Sequence, residues 1–391
     1  MMATIFGVQA MGIDVMLPAL EIIGDHYAIK HENHQQLIIF AFILGFGFPQ
    51  LIFGPIVDRF GRKILLQVSL FLYFVTGFAC MVAPSFESLL ALRVAQGICC
   101  AGTRVAAGAI IRDLSKGRSM ASILSLVYTV FMIIPILSPA LGTAIMAVAD
   151  WRWIFGVLAI FALIIFLWIQ IRLPKTLQES DRRPISKTQI FEAYKTVLTH
   201  RITVGYMTAS GIIYGCLFSF IAASEQVFDE VFHRGDKFYL YFAGVAGLLA
   251  VMTYTNSRIV GRFGMRRISH AVVLAYIILS VMNLLYMHFI GQDFWVFYIL
   301  FILTFGCFGM MGANFSGLAL EFMGKIAGTA NAVYGFVTMS ASFLLGLAVA
   351  QSFDGTVRPL LIAYVFLGVS SLVVILITEK GKLFGVGEGK S

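Results

Sequence analysis

The sequence is poor in charge. Only 12% of its 391 residues are Asp, Glu, Lys or Arg, whereas soluble globular domains carry about 25%. Hydrophobic residues make up 59% of the chain, with 36 Phe among them, and the mean hydropathy is +0.90. This is too few charged residues to cover a surface that faces water, so an ordinary soluble globular protein is excluded. The composition predicts an all-α polytopic membrane protein.

The sequence also lacks the patterns of a disulfide scaffold, a metal site or an enzyme. All five cysteines lie inside apolar runs, so they are expected to be small packing residues. His26, His31 and His34 follow no helical zinc motif and are interpreted as a solvated loop. The predicted spans contain no nucleophile–base pair and no metal cluster, and no nucleotide site is evident. We therefore expect neither enzymatic activity nor a cofactor.

Apolar runs long enough to cross a membrane, at about 20 residues each, predict twelve transmembrane helices. The charged stretch 174–201 separates six spans from six. We expect an N-terminal six-helix bundle (1–173), a cytoplasmic linker (174–201) and a C-terminal six-helix bundle (202–391), with a short amphipathic helix at 189–198. The predicted spans are 2–23, 36–57, 64–83, 87–110, 120–148, 153–172, 202–226, 237–257, 268–289, 293–319, 327–351 and 358–378.

Lys and Arg are distributed unevenly between the predicted loops. If both termini are cytoplasmic, the inner loops hold most of the positive charge and the outer side holds little. This asymmetry is the usual sign of cytoplasmic termini. It also explains the net charge of +8 by inner loops that meet anionic lipid, so no nucleic-acid partner is expected.

A short repeat relates the two halves. The loop after span 2 contains Ile56-Val57-Asp58-Arg59-Phe60-Gly61, and the loop after span 8 contains Ile259-Val260-Gly261-Arg262-Phe263-Gly264. Basic residues follow both copies. Two duplicated halves are the expected architecture of a transporter that rocks about a central site. Because Gly261 replaces the acid of the first copy, we expect any ionic latch to be one-sided.

The first copy, residues 54–63, resembles the loop signature of the major facilitator superfamily. Its glycines permit a tight turn and close backbone approach, and its acid can accept from Arg62 or lie at a helix N-terminus. The resemblance implies the twelve-helix, two-bundle fold. The residues expected to act in gating here are Gly54, Asp58, Arg59, Gly61 and Arg62.

Further motifs resemble the twelve-span drug:proton antiporters, and within them the Bcr/CflA (bicyclomycin-resistance-like) branch. They are residues 13–20 in span 1, 92–97 and 110–114 in span 4, Pro135 with 138–142 in span 5, and 151–155 before span 6. The resemblance implies conformational roles for Arg112, Asp113, Pro135, Pro139 and Gly142.

Asp14 lies near the middle of span 1, where an ionised carboxylate costs about 2.5–3.5 kcal/mol on insertion scales. Such a carboxylate is expected to load and release a proton. The alternative is a structural carboxylate permanently neutralised by an arginine. The family resemblance supports proton coupling by Asp14 together with Arg93 of span 4.

Arg93 and Arg104 are eleven residues apart, close to three helical turns, so they share one helix face about 16 Å apart along the axis. A buried arginine is not expected to face lipid, so this face should line the transport cavity. Arg93 matches the family motif and Arg104 does not. Arg104 is therefore our candidate for binding a carboxylate or phosphate of the substrate. The alternative is a structural contact with Asp14 or a backbone carbonyl.

Other polar and aromatic residues are candidates for substrate binding, although any one of them is better explained by helix packing. Glu225 ends span 7 and is interpreted chiefly as a residue of the outer gate. The candidates besides Arg104 are Gln9, Tyr128, Tyr214, Phe218, Glu225, Asn314, Asn331 and Tyr334.

Three functions are compatible with these patterns. The favoured one is a proton-coupled antiporter that exports a small organic compound or drug by alternating access. It uses the proton gradient in place of a cofactor, acts as a monomer, and contacts substrate, protons and lipid in a bacterial inner membrane. The alternative is a dedicated transporter of one anionic metabolite or siderophore, which Arg104 favours. A membrane-embedded enzyme or receptor is disfavoured by the repeat.

Overall fold

A computed structural model describes residues 1–114, 133–174 and 187–385 of the chain. Within these ranges the chain is almost entirely helical, and no strand occurs among them. The helices are α1 (Met2–Asp14), α2 (Leu20–His26), α3 (Leu37–Gly47), α4 (Gln50–Phe60), α5 (Arg62–Met81), α6 (Phe86–Leu114), α7 (Ile133–Met146), α8 (Arg152–Arg172), α9 (Lys187–Thr199), α10 (Arg201–Gln226), α11 (Phe238–Phe263), α12 (Met265–Phe289), α13 (Phe294–Leu320), α14 (Ala327–Ala350) and α15 (Arg358–Thr378).

Eleven helical segments of the described chain are long and apolar enough to cross a membrane. They correspond to eleven of the predicted spans, and α7 is a shorter apolar helix within the predicted fifth span at 120–148. The first part of that span lies outside the described residues. The prediction of an all-α polytopic membrane protein is confirmed.

The chain divides into two compact units, Met1–Ile190 and Phe191–Ser391. The predicted linker lies partly outside the described residues, and its described part begins with α9. A helix therefore occurs where residues 189–198 predicted one. Its location on the membrane surface stays a prediction.

In the first unit, α6 is the central element and packs against α1, α3, α4 and α5. Two glycines set the contact between α3 and α6. A Cβ on Gly97 would collide with the carbonyl oxygen of Phe42, and one on Gly45 with that of Val94. The backbones therefore touch directly, as small residues permit in helix pairs within membranes. Gly102 also approaches a neighbouring helix closely, since a Cβ there would collide with Ser69 Oγ of α5, whereas a Cβ on Gly108 would meet open space.

In the second unit, α10 packs against α13, α14 and α15, and α13 also packs against α11 and α12. The glycines of α13 again mark close approach. A Cβ on Gly309 would collide with the carbonyl oxygen of Leu249, and one on Gly312 would lie 2.7 Å from the hydroxyl oxygen of Tyr214. Both units thus use small residues where their helices meet.

Gly97 and Gly108 provide a matched pair on the same helix. We expect Gly97→Ala to lower the free energy of unfolding by about 1–3 kcal/mol, because the methyl group forces α3 and α6 apart. Gly108→Ala should leave it unchanged or raise it slightly, since alanine is the better helix former. Thermal unfolding of the purified variants in detergent measures the difference. An equal melting temperature for the two variants would contradict the described helix contact.

Candidate functional site

Helix α1 ends at Asp14 because Pro18, four residues later, has no N–H to donate to the Asp14 carbonyl. The chain continues through a 3₁₀ turn at Leu17–Ala19 and then α2. The predicted first span is therefore a broken helix. Its last carbonyls in α1 have no intrahelical partner, and the negative end of the helix dipole lies there.

The Arg93 side chain fills this break and is fully buried (0% exposed). Its Nη2 donates to the Gly12 carbonyl at 2.8 Å, its Nε to the Ile38 carbonyl at 3.2 Å, and its Nη1 to Gln96 Oε1 at 2.5 Å. The guanidinium carbon lies 4.6 Å from the ring centre of Phe42. Arg93 thus joins α1 and α3 to α6, and its positive charge lies at the negative end of α1.

The Asp14 carboxylate is also buried, with 4% of the residue exposed. Among the described residues it forms no hydrogen bond or ion pair. Arg93 binds the backbone two residues away rather than this carboxylate. No arginine of the described residues therefore neutralises Asp14 in this conformation, and its role in proton coupling stays a prediction. Asp14 is an ionisable group at a helix end whose dipole disfavours a negative charge.

The predicted antiporter motif of span 5 contacts the same break. A Cβ on Gly142 would collide with the carbonyl oxygen of Val15 and lie 3.0 Å from the Pro18 ring. Pro139 is buried and Pro135 half-buried in the same helix, α7. The structure thus brings the span 5 motif to the residues that follow Asp14.

Arg104 occupies a different environment from Arg93. It is half-buried, and its Nη1 donates to Gln9 Oε1 on α1 at 2.7 Å. Its guanidinium carbon lies 5.9 Å and 5.6 Å from the ring centres of Phe6 and Phe46. The prediction that Arg93 and Arg104 face the same side of their helix is confirmed, since both contact α1. The alternative, a structural contact with Asp14 or a backbone carbonyl, does not occur among the described residues, where Arg104 contacts the Gln9 amide instead.

Two further polar groups lie beside Arg93, and sequence reasoning missed one of them. The Tyr73 hydroxyl and Gln96 Nε2 are buried without a hydrogen-bond partner among the described residues. A Cβ on Gly12 would lie 2.8 Å from the Tyr73 hydroxyl oxygen, so this group reaches the break from α5. The available signal was a tyrosine in an otherwise apolar span. Together these groups make the surroundings of Arg93 polar.

At the other end of the first unit, the loop signature joins four helices. Gly61 has a φ of +99°, a conformation that favours glycine. Arg62 Nε pairs with Asp113 of α6 at 2.9 Å, and Lys63 Nζ donates to the Leu173 carbonyl at 2.6 Å, at the end of α8. The partner described for Arg62 is thus Asp113. Only the helical backbone of Asp58 and Arg112 is described, so the roles expected of their side chains stay predictions.

The second copy of the loop also forms an ionic network, so the prediction of a one-sided latch is wrong. Gly264 has a φ of +80°. Arg266 pairs with Glu379, just after α15, and with Glu321, just after α13, both at 3.0 Å. Tyr206 donates to Glu379 at 2.7 Å. The second loop has Gly261 where the first has an acid, and its basic residue pairs instead with acids at the ends of two other helices.

Residues at equivalent positions of the two loops make comparable contacts. Lys63 and Arg266 each lie two positions after the positive-φ glycine, and each binds the end of the last helix of its unit. In the first unit Arg62 makes the second contact, to the end of α6. The second unit has Met265 at that position, and Arg266 makes both contacts.

Several predicted binding residues of the second unit are engaged in helix packing. The Asn314 amide pairs reciprocally with that of Asn256 at 2.8 and 3.2 Å, both buried, and so joins α13 to α11. The Tyr334 hydroxyl lies 2.8 Å from Ser210 Oγ and joins α14 to α10. Hydrogen bonds between polar side chains of neighbouring helices are common within membranes, so both pairs are explained by helix packing.

The remaining candidates are dispersed. Tyr214 and Glu225 are half-buried, Phe218 is buried, and Asn331 is exposed at the start of α14. Gly54 is half-buried in α4, and Arg59 is exposed with its guanidinium over the Phe60 ring. Tyr128 lies outside the described residues. Within the described part of the first unit, the structure brings Arg104 to Gln9, Arg93 to the end of α1, and Gly142 to the residues that follow Asp14.

Comparison with known proteins gives a consistent result. Residues 2–347 match the family described as the Major Facilitator Superfamily. Over 351 residues the chain is 28% identical to the bicyclomycin resistance protein homolog of Haemophilus influenzae, covering 90% of this chain and 88% of that protein. It is 24% identical over 222 residues to the chloramphenicol resistance protein CraA of Acinetobacter baumannii, covering 56% of this chain and 53% of that protein.

Solved structures show the same architecture. The crystal structure of a D-xylose-proton symporter aligns with a TM-score of 0.75 at 16% identity, over 98% of this chain and 97% of that one. At this identity the likeness concerns the fold.

Arg93 and Arg104 are expected to differ in their effect on stability. Arg93→Met should lower the free energy of unfolding by about 2–4 kcal/mol, because three buried acceptors lose their donor. Arg104→Met should lower it by less than about 1 kcal/mol, because it releases only one neutral amide. Denaturant or thermal unfolding in detergent measures both. A larger loss at Arg104 than at Arg93 would contradict the assignment of Arg93 as the buried anchor.

Arg266 and Arg267 are adjacent but differ in burial, which makes Arg267 a matched control. Arg266→Gln should reduce stability by about 1–3 kcal/mol, since the Glu379 side chain, only 14% exposed, loses its ionic partner. Arg267 is exposed, and Arg267→Gln should change stability by less than about 0.5 kcal/mol. Melting temperatures of the two variants test this. Equal effects would show that Arg266 contributes only its surface charge.

Proposed function

Because the chain belongs to the Major Facilitator Superfamily, we propose that it is a proton-coupled antiporter that exports a small organic compound. As a member of this family it is a multi-pass membrane transporter of small molecules and not an enzyme, and the family predicted from the motifs is confirmed. The observation that carries the proposal is the Asp14 carboxylate, buried at the break of the first span without a cationic partner among the described residues.

The position of Asp14 suits a proton carrier for a physical reason. A charge at this depth is costly, and the adjacent helix end adds a negative field. Binding a proton removes both costs, so the carboxylate is neutral when it cannot reach water and ionises when a polar path opens. Arg93 holds the break open by binding the Gly12 carbonyl. The contact of Gly142 with Val15 gives α7 a direct means of altering the environment of Asp14.

The names of the relatives suggest the cargo. One is a bicyclomycin resistance protein homolog and another a chloramphenicol resistance protein. On this basis the exported compound is a small antibacterial compound. The second candidate is a dedicated transporter of one anionic metabolite, and the observation that favours it is the guanidinium of Arg104, which meets no carboxylate among the described residues.

The proposal includes the energy source and the location. The proton gradient drives transport, so no cofactor is required. The basic inner loops support cytoplasmic termini and a location in the inner membrane of a bacterial cell, among anionic lipids. A monomer suffices for this mechanism.

Proton exchange can be measured in inverted membrane vesicles that contain the protein and are acidified inside. We expect chloramphenicol or bicyclomycin to release protons from these vesicles, reported as a rise in the fluorescence of a pH-sensitive dye. Asp14→Asn should abolish this rise, because the amide binds no proton in this range. Asp25→Asn is the control, since Asp25 is an exposed aspartate outside the break, and it should behave like the parent.

Two results would oppose the proposal. If Asp14→Asn releases protons with the same pH dependence as the parent, Asp14 is not the coupling group. If the parent protects hypersensitive cells from these compounds but no proton moves, export occurs without proton exchange.

A further inference from the structure

We propose that Arg104 binds a carboxylate of the transported compound, and that the preferred substrates are organic anions in which a carboxylate is attached to a flat apolar body. This inference rests on the proposed function, because it names the substrate class of the same transporter. It also goes beyond it, because neither Arg104 nor an anionic cargo belongs to the motifs of the family.

The argument begins with the contrast between the two arginines of α6. Arg93 is fully buried and donates to three acceptors, two of which are backbone carbonyls. Its N–H donors and its positive charge are therefore engaged in contacts within the first unit. Arg104 is half-buried and donates to one neutral amide oxygen, Gln9 Oε1. A guanidinium has five N–H donors, so most of the donors of Arg104 meet no acceptor among the described residues.

The charge of Arg104 is not balanced by a carboxylate among the described residues. The Gln9 amide is neutral, and the rings of Phe6 and Phe46, at 5.9 and 5.6 Å, lie close to the outer limit of about 6 Å for cation–π attraction. A charged group within a membrane span generally acquires a partner or lines a polar cavity. A negatively charged ligand would be that partner for Arg104.

The surroundings also indicate the shape of the ligand. The Gln9 contact fixes one Nη of the guanidinium and leaves the Nε and Nη2 edge, whose parallel N–H groups match the two oxygens of a carboxylate. Phe6 and Phe46 offer apolar ring surface beside the guanidinium. A carboxylate attached directly to a flat ring system satisfies both features. A cationic compound is opposed by the guanidinium, and a neutral one gains only the ring contact.

The membrane potential favours export of such a substrate. Export of one monovalent anion in exchange for one entering proton is electrically equivalent to moving two positive charges inward. The negative potential inside a bacterial cell favours both movements. No oxidant, nucleotide or further ion is required.

Three fluorescent probes that share one ring system test the proposal: anthracene-9-carboxylate, anthracene-9-carboxamide and 9-(aminomethyl)anthracene. Each is titrated into the purified full-length protein in detergent, and binding is followed by the polarisation of anthracene fluorescence. The parent should bind the carboxylate at least about tenfold more tightly than the carboxamide, as expected for a charge-assisted bidentate contact. It should bind the ammonium probe most weakly.

Two variants and one control locate the effect. Arg104→Met should weaken carboxylate binding by about tenfold or more and leave carboxamide binding within about twofold. Gln9→Glu places a carboxylate against Arg104 with almost no change in shape, so it should abolish the preference for the anion while the carboxamide still binds. Arg258→Met is the control, because Arg258 contacts only the exposed Tyr254 among the described residues, and it should bind all three probes like the parent.

The outcomes are distinct. Equal loss of all three probes in Arg104→Met, together with unchanged preference in Gln9→Glu, would make Arg104 a structural residue and overturn the proposal. So would a parent that binds carboxylate and carboxamide equally. Binding in detergent needs no proton gradient, so a failure of the vesicle experiment with Asp14 leaves this result standing, and the reverse also holds.

Discussion

The first unit depends on the bond between the Arg93 guanidinium and the Gly12 carbonyl. Pro18 ends α1 within the membrane-spanning segment, and a helix end in lipid leaves carbonyls that nothing else satisfies. Arg93 satisfies one of them and brings a positive charge to the negative end of the helix. The same side chain binds α3 through Ile38. Two costly features, a broken span and a buried arginine, thus stabilise one another, and the ionisable Asp14 lies at their junction.

In each unit, the loop after the second span also brings a basic side chain to the end of a helix. Both loops turn on a glycine with positive φ, and both place a basic residue two positions later against the end of the last helix of the unit. The chemistry of the contact has changed between the copies. Lys63 binds backbone carbonyls, whereas Arg266 binds two carboxylates. The geometry of the duplicated unit has therefore been retained while its residues were exchanged, and the planar fork of arginine suits the double contact.

The sequence predicted the spans well because the cost of an unsatisfied backbone in lipid dictates long apolar helices. It also predicted which residues gather at the break, since Asp14, Arg93 and Gly142 lie in motifs. It failed where the outcome depended on a partner from elsewhere in the chain. The acids that bind Arg266 lie 55 and 113 residues away along the chain, so the loss of the acid at Gly261 suggested a missing latch.

Arg93 and Arg104 show that the partners a side chain meets in the folded chain decide its role. The two arginines lie on one face of one helix, and their spacing gave them the same predicted environment. Among the described residues, Arg93 has a helix end and two further acceptors, whereas Arg104 has a single amide. An arginine whose donors are all engaged stabilises the fold, whereas one with donors to spare is suited to bind a ligand, which is the role proposed for Arg104. The neutrality of Gln9 is therefore as important as the charge of Arg104, since an acid at position 9 would occupy the guanidinium permanently. The proposed selectivity for an anion depends on this one neutral side chain.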